Sequence, residues 1–201
     1  MIHIFGTSHV SQESLDLVEE KIEEIDPEVV ALELDTLRLN SLLNDRKEKQ
    51  GGSLFVRLLQ FFQESVGKKT GVMPGEEMLH AYRTAEKNGI DVALIDQDIR
   101  VTIDKLKGVS FWEKLKAGAQ LVVGMLIPGS FDIAQEIPEE ELIEQLLFEM
   151  KFKFPEMYDV LVEQRNLHMT ESLKMLENDT EGDIVAFVGA AHRKALVKEF
   201  E

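Results

Sequence analysis

Apolar residues recur along this chain in two rhythms. The first is a set of short, nearly unbroken runs: Ile2-His3-Ile4-Phe5, Val29 to Asp35, Val92 to Asp96 and Ile184 to Val188. Runs of this length, rich in β-branched and aromatic residues, read as buried strands. The second rhythm repeats at steps of three and four. Leu15, Val18, Ile22 and Ile25 form one such series, Phe55, Leu58, Leu59 and Phe62 another, and Met78, Ala81, Tyr82 and Ala85 a third. Each marks an amphipathic helix.

Local signals set the boundaries. Ser11 suits the N-cap of the first helix and Pro27 ends it. Residues 36–50 read as a charged helix broken by Gly51-Gly52, and a second helix runs over 54–66. Residues 68–75 form a loop. The helix over 76–88 stops at Gly89. Residues 100–127 are mostly helical and end at Pro128-Gly129. Helices over 139–151 and 155–178 follow, then the last strand and a short final helix.

Strand, helix and strand within about 35 residues make a βαβ unit, whose strands are parallel. The expected fold is therefore α/β. A small, mostly parallel sheet of about four strands is flanked by many helices, with the helical block 100–180 capping the sheet edge. At 201 residues the chain reads as a single domain, 1–201, because its matching elements near residues 5 and 190 must meet.

Charge and composition narrow the partners. The formal charge is −16, from 22 basic and 38 acidic residues. That disfavours nucleic acid, whose phosphates need Lys and Arg, and disfavours anionic membrane surfaces. No cysteine is present, which removes disulfides, thiolate ligands and cysteine nucleophiles and fits a cytoplasmic protein. No signal peptide is expected, because a strand begins at residue 2. The apolar stretch Ala117–Ile127 has about half the ~20 residues of a membrane-spanning helix, so it reads as a core or partner-facing helix. Acidic helices with such a segment are compatible with a homodimer.

The polar residues that interrupt this pattern carry the chemistry. Gly6-Thr7-Ser8-His9 follows the first strand and Gly189-Ala190-Ala191-His192 follows the last. If the two strands are parallel neighbours, both imidazoles reach one sheet edge, where ligands of parallel α/β sheets bind. Glu33 and Asp35 lie in the second strand run and Asp96 ends the third. Asp35 reads as an N-cap for the next helix, and Asp96 as either a cap or a site residue. Glu33 is harder to explain structurally, since an acid within Val-Val-Ala-Leu-Glu-Leu costs several kcal/mol unless paired or metal-bound. On the helix after Pro155, Arg165 and Asn166 share the stripe of Val162, Met169, Leu173 and Leu176, so they need polar partners. Arg38 should start the next helix near the same edge. His3, His80 and His168 carry no spacing signature and read as structural or exposed.

Taken in order, these segments resemble the TraB/PrgY family, related to the Tiki and GumN proteins. The resemblance is carried by Gly6-Thr7-Ser8-His9-Val10-Ser11, Ala31-Leu32-Glu33-Leu34-Asp35 with Arg38, and Pro74-Gly75-Glu76-Glu77-Met78. It continues through Leu94-Ile95-Asp96-Gln97-Asp98-Ile99, Arg165-Asn166 and Val188-Gly189-Ala190-Ala191-His192. It implies a site built from His9, Glu33 and His192 with Arg38, Glu77, Arg165 and Asn166. Asp96 is assigned with Arg38 and Glu77 to substrate binding. It implies a peptide or small-molecule ligand. Tiki proteins act as metal-dependent proteases, TraB and PrgY limit peptide pheromone activity, and wider relatives include esterase-like hydrolases and haem-binding lipoproteins.

The chain departs from the family pattern at Gln164 and Gln97, where a glutamate and an arginine are usual. Many archaeal relatives continue into a membrane-spanning block, whereas this chain ends at Glu201 and is expected to be soluble, or to be the soluble part of a larger design.

Three chemistries follow. His9, Glu33 and His192 could hold manganese, cobalt or zinc with an open position, for metal-dependent hydrolysis of a peptide or amide. A metal-free hydrolase would instead use a histidine as general base. A non-enzymatic protein would bind a pheromone-like peptide, a small ligand or haem in the same cleft.

Overall fold

The computed structural model describes residues 1–7, 12–44, 75–126 and 139–201. His9, the Ser11 cap, the helix expected over 54–66 and the Pro128-Gly129 stop lie outside the described residues. Two compact units are present, residues 1–99 with 165–201 and residues 100–164.

The first unit holds one sheet of four parallel strands: β1 (Ile2–Thr7), β2 (Val29–Leu32), β3 (Asp91–Leu94) and β4 (Ile184–Gly189), in the order β1-β4-β2-β3. The α/β expectation is met, and the strands carrying the two Gly-x-x-His segments are direct neighbours, with Thr7 opposite Gly189. β1 and β2 are parallel but not adjacent, because β4 enters between them. Every residue of β4 is buried, as an unbroken apolar run between two neighbours should be.

Side chains alternate across the sheet with period two. Val30, Leu32, Val185 and Phe187 pack on one face against Val18 and Ile22 of α1 (Gln12–Ile25) and Met78, Ala81 and Ala85 of α3 (Glu76–Asn88). Val29, Ala31, Ile184, Ala186 and Val188 pack on the other, against Met169 and Leu173 of α8 (Gln164–Asp179) and Leu196 of α9 (Ala190–Phe200). Completing the described helices of this unit, α2 spans Thr36–Leu43 and follows β2. Asp35 caps it as expected, accepting from the amides of Leu37 and Arg38. Gly89 closes α3 in the left-handed conformation, φ 71°.

Two strand assignments change. β2 ends at Leu32, so Glu33 lies just past the strand, although its amide still donates to the Phe187 carbonyl at 3.1 Å. β3 ends at Leu94, placing Asp96 two residues beyond it. Neither Gly6 nor Gly189 makes a turn, since both lie within strands. Gly6 lies inside β1, where a Cβ would sit 2.7 Å from Arg193 Cδ, so close approach of α9 explains its size. Gly189 has φ −60° and ψ 144°, an extended conformation.

The second unit is helical. It contains most of α4 (Ile99–Gly108), then α5 (Phe111–Leu126), α6 (Glu139–Lys153) and α7 (Pro155–Tyr158). A π-helical turn over Asp159–Glu163 leads into α8, so the helix expected over 155–178 carries an internal change of winding. Glu113 of α5 is buried and accepts the Met157 amide at 2.8 Å.

Candidate functional site

Sheet parity decides which acid meets which helix. Continuing Val29 and Ala31 by two places puts Glu33 on the face covered by α8 and α9, while Leu34 joins the opposite core. Arg165 and Asn166 come to that face from the first turn of α8, and His192 from the first turn of α9. Glu33, Asp96 and His192 are all buried.

Arg165 is the hub. Its Nε and Nη2 donate to Asp96 Oδ1 and Oδ2 at 3.0 and 2.8 Å, a bidentate fork. Nη2 also donates to Glu33 Oε1, and Nη1 lies 3.1 Å from His192 Nε2. Burial by itself opposes the guanidinium charge. Glu33 and Asp96 override it by charge and hydrogen bonding, and together raise the affinity of Arg165 for its proton above the ordinary arginine value.

The other contacts lock this arrangement. Glu33 Oε2 accepts from the Gly189 amide at 2.6 Å. Asp96 Oδ1 also accepts from the Gln97 amide, and its Oδ2 accepts from Arg38 Nη1 at 2.8 Å. Arg38 donates as well to the Glu33 carbonyl at 3.4 Å. Asp96 thus uses both oxygens on protein donors and holds the two arginines in place. Two carboxylates and two guanidiniums balance formally. Arg38 is the most open of the four, with a third of its side chain exposed.

The partners of His192 assign its tautomer. A guanidinium can only donate, so Nε2 is the acceptor and carries the lone pair. Nδ1 then bears the hydrogen and donates to Asn166 Oδ1 at 2.6 Å, with the amide oriented by the same network. The Nε2 lone pair faces Arg165, and Glu33 Oε1 lies 3.5 Å away.

The expected site residues Glu33, Arg38, Asp96, Arg165, Asn166 and His192 are therefore brought together. Glu77 is buried in the first turn of α3. The sequence reading missed the Gly189 amide as a partner of Glu33. The signal was available, because a glycine ending a central strand leaves its N–H open to a neighbouring carboxylate. His3 pairs with Asp183 and His80 with Glu19, both in structural roles. Gln164 donates to Asp159 at 2.6 Å, a bond that a glutamate here could not make.

A metal was expected on His9, Glu33 and His192. Among the described residues, no group of three His, Asp or Glu side chains is arranged to hold an ion. Glu33 and His192 both turn their inner atoms to the Arg165 guanidinium, and His9 lies outside the described residues. The described donors alone do not complete a metal site.

This architecture defines an α/β protein with a buried Arg–carboxylate–His cluster at the carboxyl edge of a parallel sheet. The chain belongs to the TraB/PrgY/gumN family, whose profile matches residues 1–195. It is 32% identical to an uncharacterized protein of Methanocaldococcus jannaschii, over 98% of this chain and 52% of that protein. It is also 28% and 27% identical to the TraB domain-containing proteins of mouse and human, over 86% of this chain and 52% of each. The chain spans about half the length of the curated relatives it matches.

Proposed function

We propose that this cluster is the reaction centre of a hydrolase acting on a peptide, amide or ester bond, with His192 as general base. The observation that carries the reading is the placement of His192, with Nδ1 2.6 Å from Asn166 Oδ1 and Nε2 beside a carboxylate and a guanidinium. A water that displaces Arg165 Nη1 from Nε2 would lose its proton there while attacking a carbonyl. Arg165, held through Nε and Nη2 by Asp96 and Glu33, supplies positive charge for the developing oxyanion, with Nη1 turned from His192 toward it. Arg38, at the open side, suits an anionic group of the substrate.

A metal-dependent form of the same hydrolysis is the second reading. The 3.5 Å between Glu33 Oε1 and His192 Nε2 favours it. Two ligands of a tetrahedral ion with bonds of about 2.1 Å lie about 3.4 Å apart. Glu33, His192 and His9 would hold manganese, cobalt or zinc, which would acidify a bound water, and Arg165 would have to withdraw from both described ligands.

The test is hydrolysis of fluorogenic peptides and chromogenic esters by protein freed of metal with a chelator, then resupplied with each ion. Activity that survives chelation and disappears in His192→Ala supports the general-base reading. Activity that appears only with metal assigns the second. Tight ligand binding without turnover under either condition rejects both, and leaves a peptide- or haem-binding protein.

A further inference from the structure

We propose that the start of α5 is a docking surface for an anionic lipid bilayer, with Phe111 and Trp112 entering the apolar boundary and nearby lysines meeting the headgroups. This inference is independent of the hydrolase reading. Phe111 is 70% exposed, Trp112 69% and Leu115 51%. The two rings meet edge to face with centroids 5.9 Å apart, so their exposed area is continuous. Folding ordinarily buries such side chains, and a joined apolar patch left outside marks an interface.

Charge selects the partner. The chain as a whole carries −16, but residues 99–120 hold five lysines and arginines against Asp104 and Glu113, a local +3 that leaves −19 elsewhere. Glu113 is turned inward to the Met157 amide, which removes its carboxylate from the outer face. Lys105, Lys107 and Lys116 are exposed. The average charge that argues against anionic membranes therefore conceals one segment of opposite sign.

The composition fits a helix lying in a bilayer interface, with Trp, Phe and Leu beside lysines. After Lys116 no charged residue occurs through Leu126. Among the described residues no helix is long and apolar enough to cross a membrane, so α5 would lie on the surface rather than span it. The Ser110 amide donates to the Glu156 carboxylate at 2.7 Å, which brings the first turn of α7 to the start of α5. On α6, Phe148 and Phe152 are 73% and 81% exposed.

Trp112 is the chain's single tryptophan, so its emission reports the patch directly. The whole protein is mixed with vesicles of phosphatidylcholine, with or without phosphatidylglycerol, and followed by emission maximum and co-flotation. The expected result is a blue shift and flotation with the anionic vesicles, at least ~10-fold weaker binding to neutral ones, and loss in high salt. Phe111→Ser and the pair Lys105→Glu with Lys116→Glu should each weaken flotation ~10-fold while thermal melts stay unchanged. Absence of both shift and flotation with anionic vesicles overturns the proposal. A blue shift that grows with protein concentration without lipid, together with a doubled mass in light scattering, also overturns it and assigns the face to a second copy.

Discussion

Replacing Arg165 by methionine removes the hub while keeping most of its volume. The variant loses the fork to Asp96, the bond to Glu33 and the contact with His192. Asp96 keeps Arg38 and the Gln97 amide, whereas Glu33 retains the Gly189 amide but loses its cation in a buried place. Removing one partner of a buried ion pair costs about 3–5 kcal/mol, because the remaining charge is stranded rather than because the pair was strongly favourable. For a protein of this size each kcal/mol moves the melting temperature by about 2–4 °C, so Arg165→Met should melt about 6–20 °C lower.

The sign with pH follows from linkage. In the parent protein the raised Arg165 value keeps its stabilisation fully present below the ordinary arginine range, to be lost only at more alkaline pH. In the variant, a stranded buried carboxylate takes up a proton more readily in the folded state, so stability falls as pH rises from the ordinary carboxylate range toward neutrality. The deficit should therefore be smaller near about pH 5 than near about pH 7.5, and adding Glu33→Gln should restore part of it. Thermal melts by circular dichroism read all three. A variant melting within about 2 °C of the parent, with no pH dependence to the difference, would refute the stranded-charge argument.

Three further outcomes are expected. Long-range 1H–15N spectra should show His192 with hydrogen on Nδ1, and a hydrogen on Nε2 would contradict the donor assignment from Arg165. Gly89→Ala should cost about 1 kcal/mol in urea unfolding and Gly89→Asn less, because the strain comes from φ 71° alone and a Cβ there meets nothing within 4 Å. Asp183 is held below the usual carboxylate range by its hydrogen bond from His3 and by the Met1 amino group. Its contribution is present above that range and lost as pH falls through the lowered value. Asp183→Asn should accordingly flatten the acid limb of the stability curve, and an unchanged acid limb would count against the pairing.

The strands and several helix limits were legible because they rest on local physics. Period-two and near-continuous apolar runs mark the strands, Asp35 caps its own helix, and Gly89 tolerates the left-handed turn. The site residues were legible as misfits, since a carboxylate after Val29–Leu32 and an arginine on an apolar stripe each demand a partner. Partner identity was not legible. Arg165 and Glu33 are 132 residues apart, and no local pattern tells that one guanidinium serves two acids and a histidine. Nor did the Gly-x-x-His segments reveal that Gly6 makes room for Arg193 while Gly189 lends its amide to Glu33.

The sequence by itself determined that this is an α/β protein whose strand ends and one helix stripe carry ionisable groups. Local periodicity and the cost of burying polar atoms suffice for that. Only the tertiary structure decided that β4 enters between β1 and β2, which places Glu33 beside Gly189 and under α8 and α9. It also decided that the cation at the centre of the described cluster is a guanidinium, because which charges meet depends on the crossing of distant elements and not on the spacing of residues along the chain.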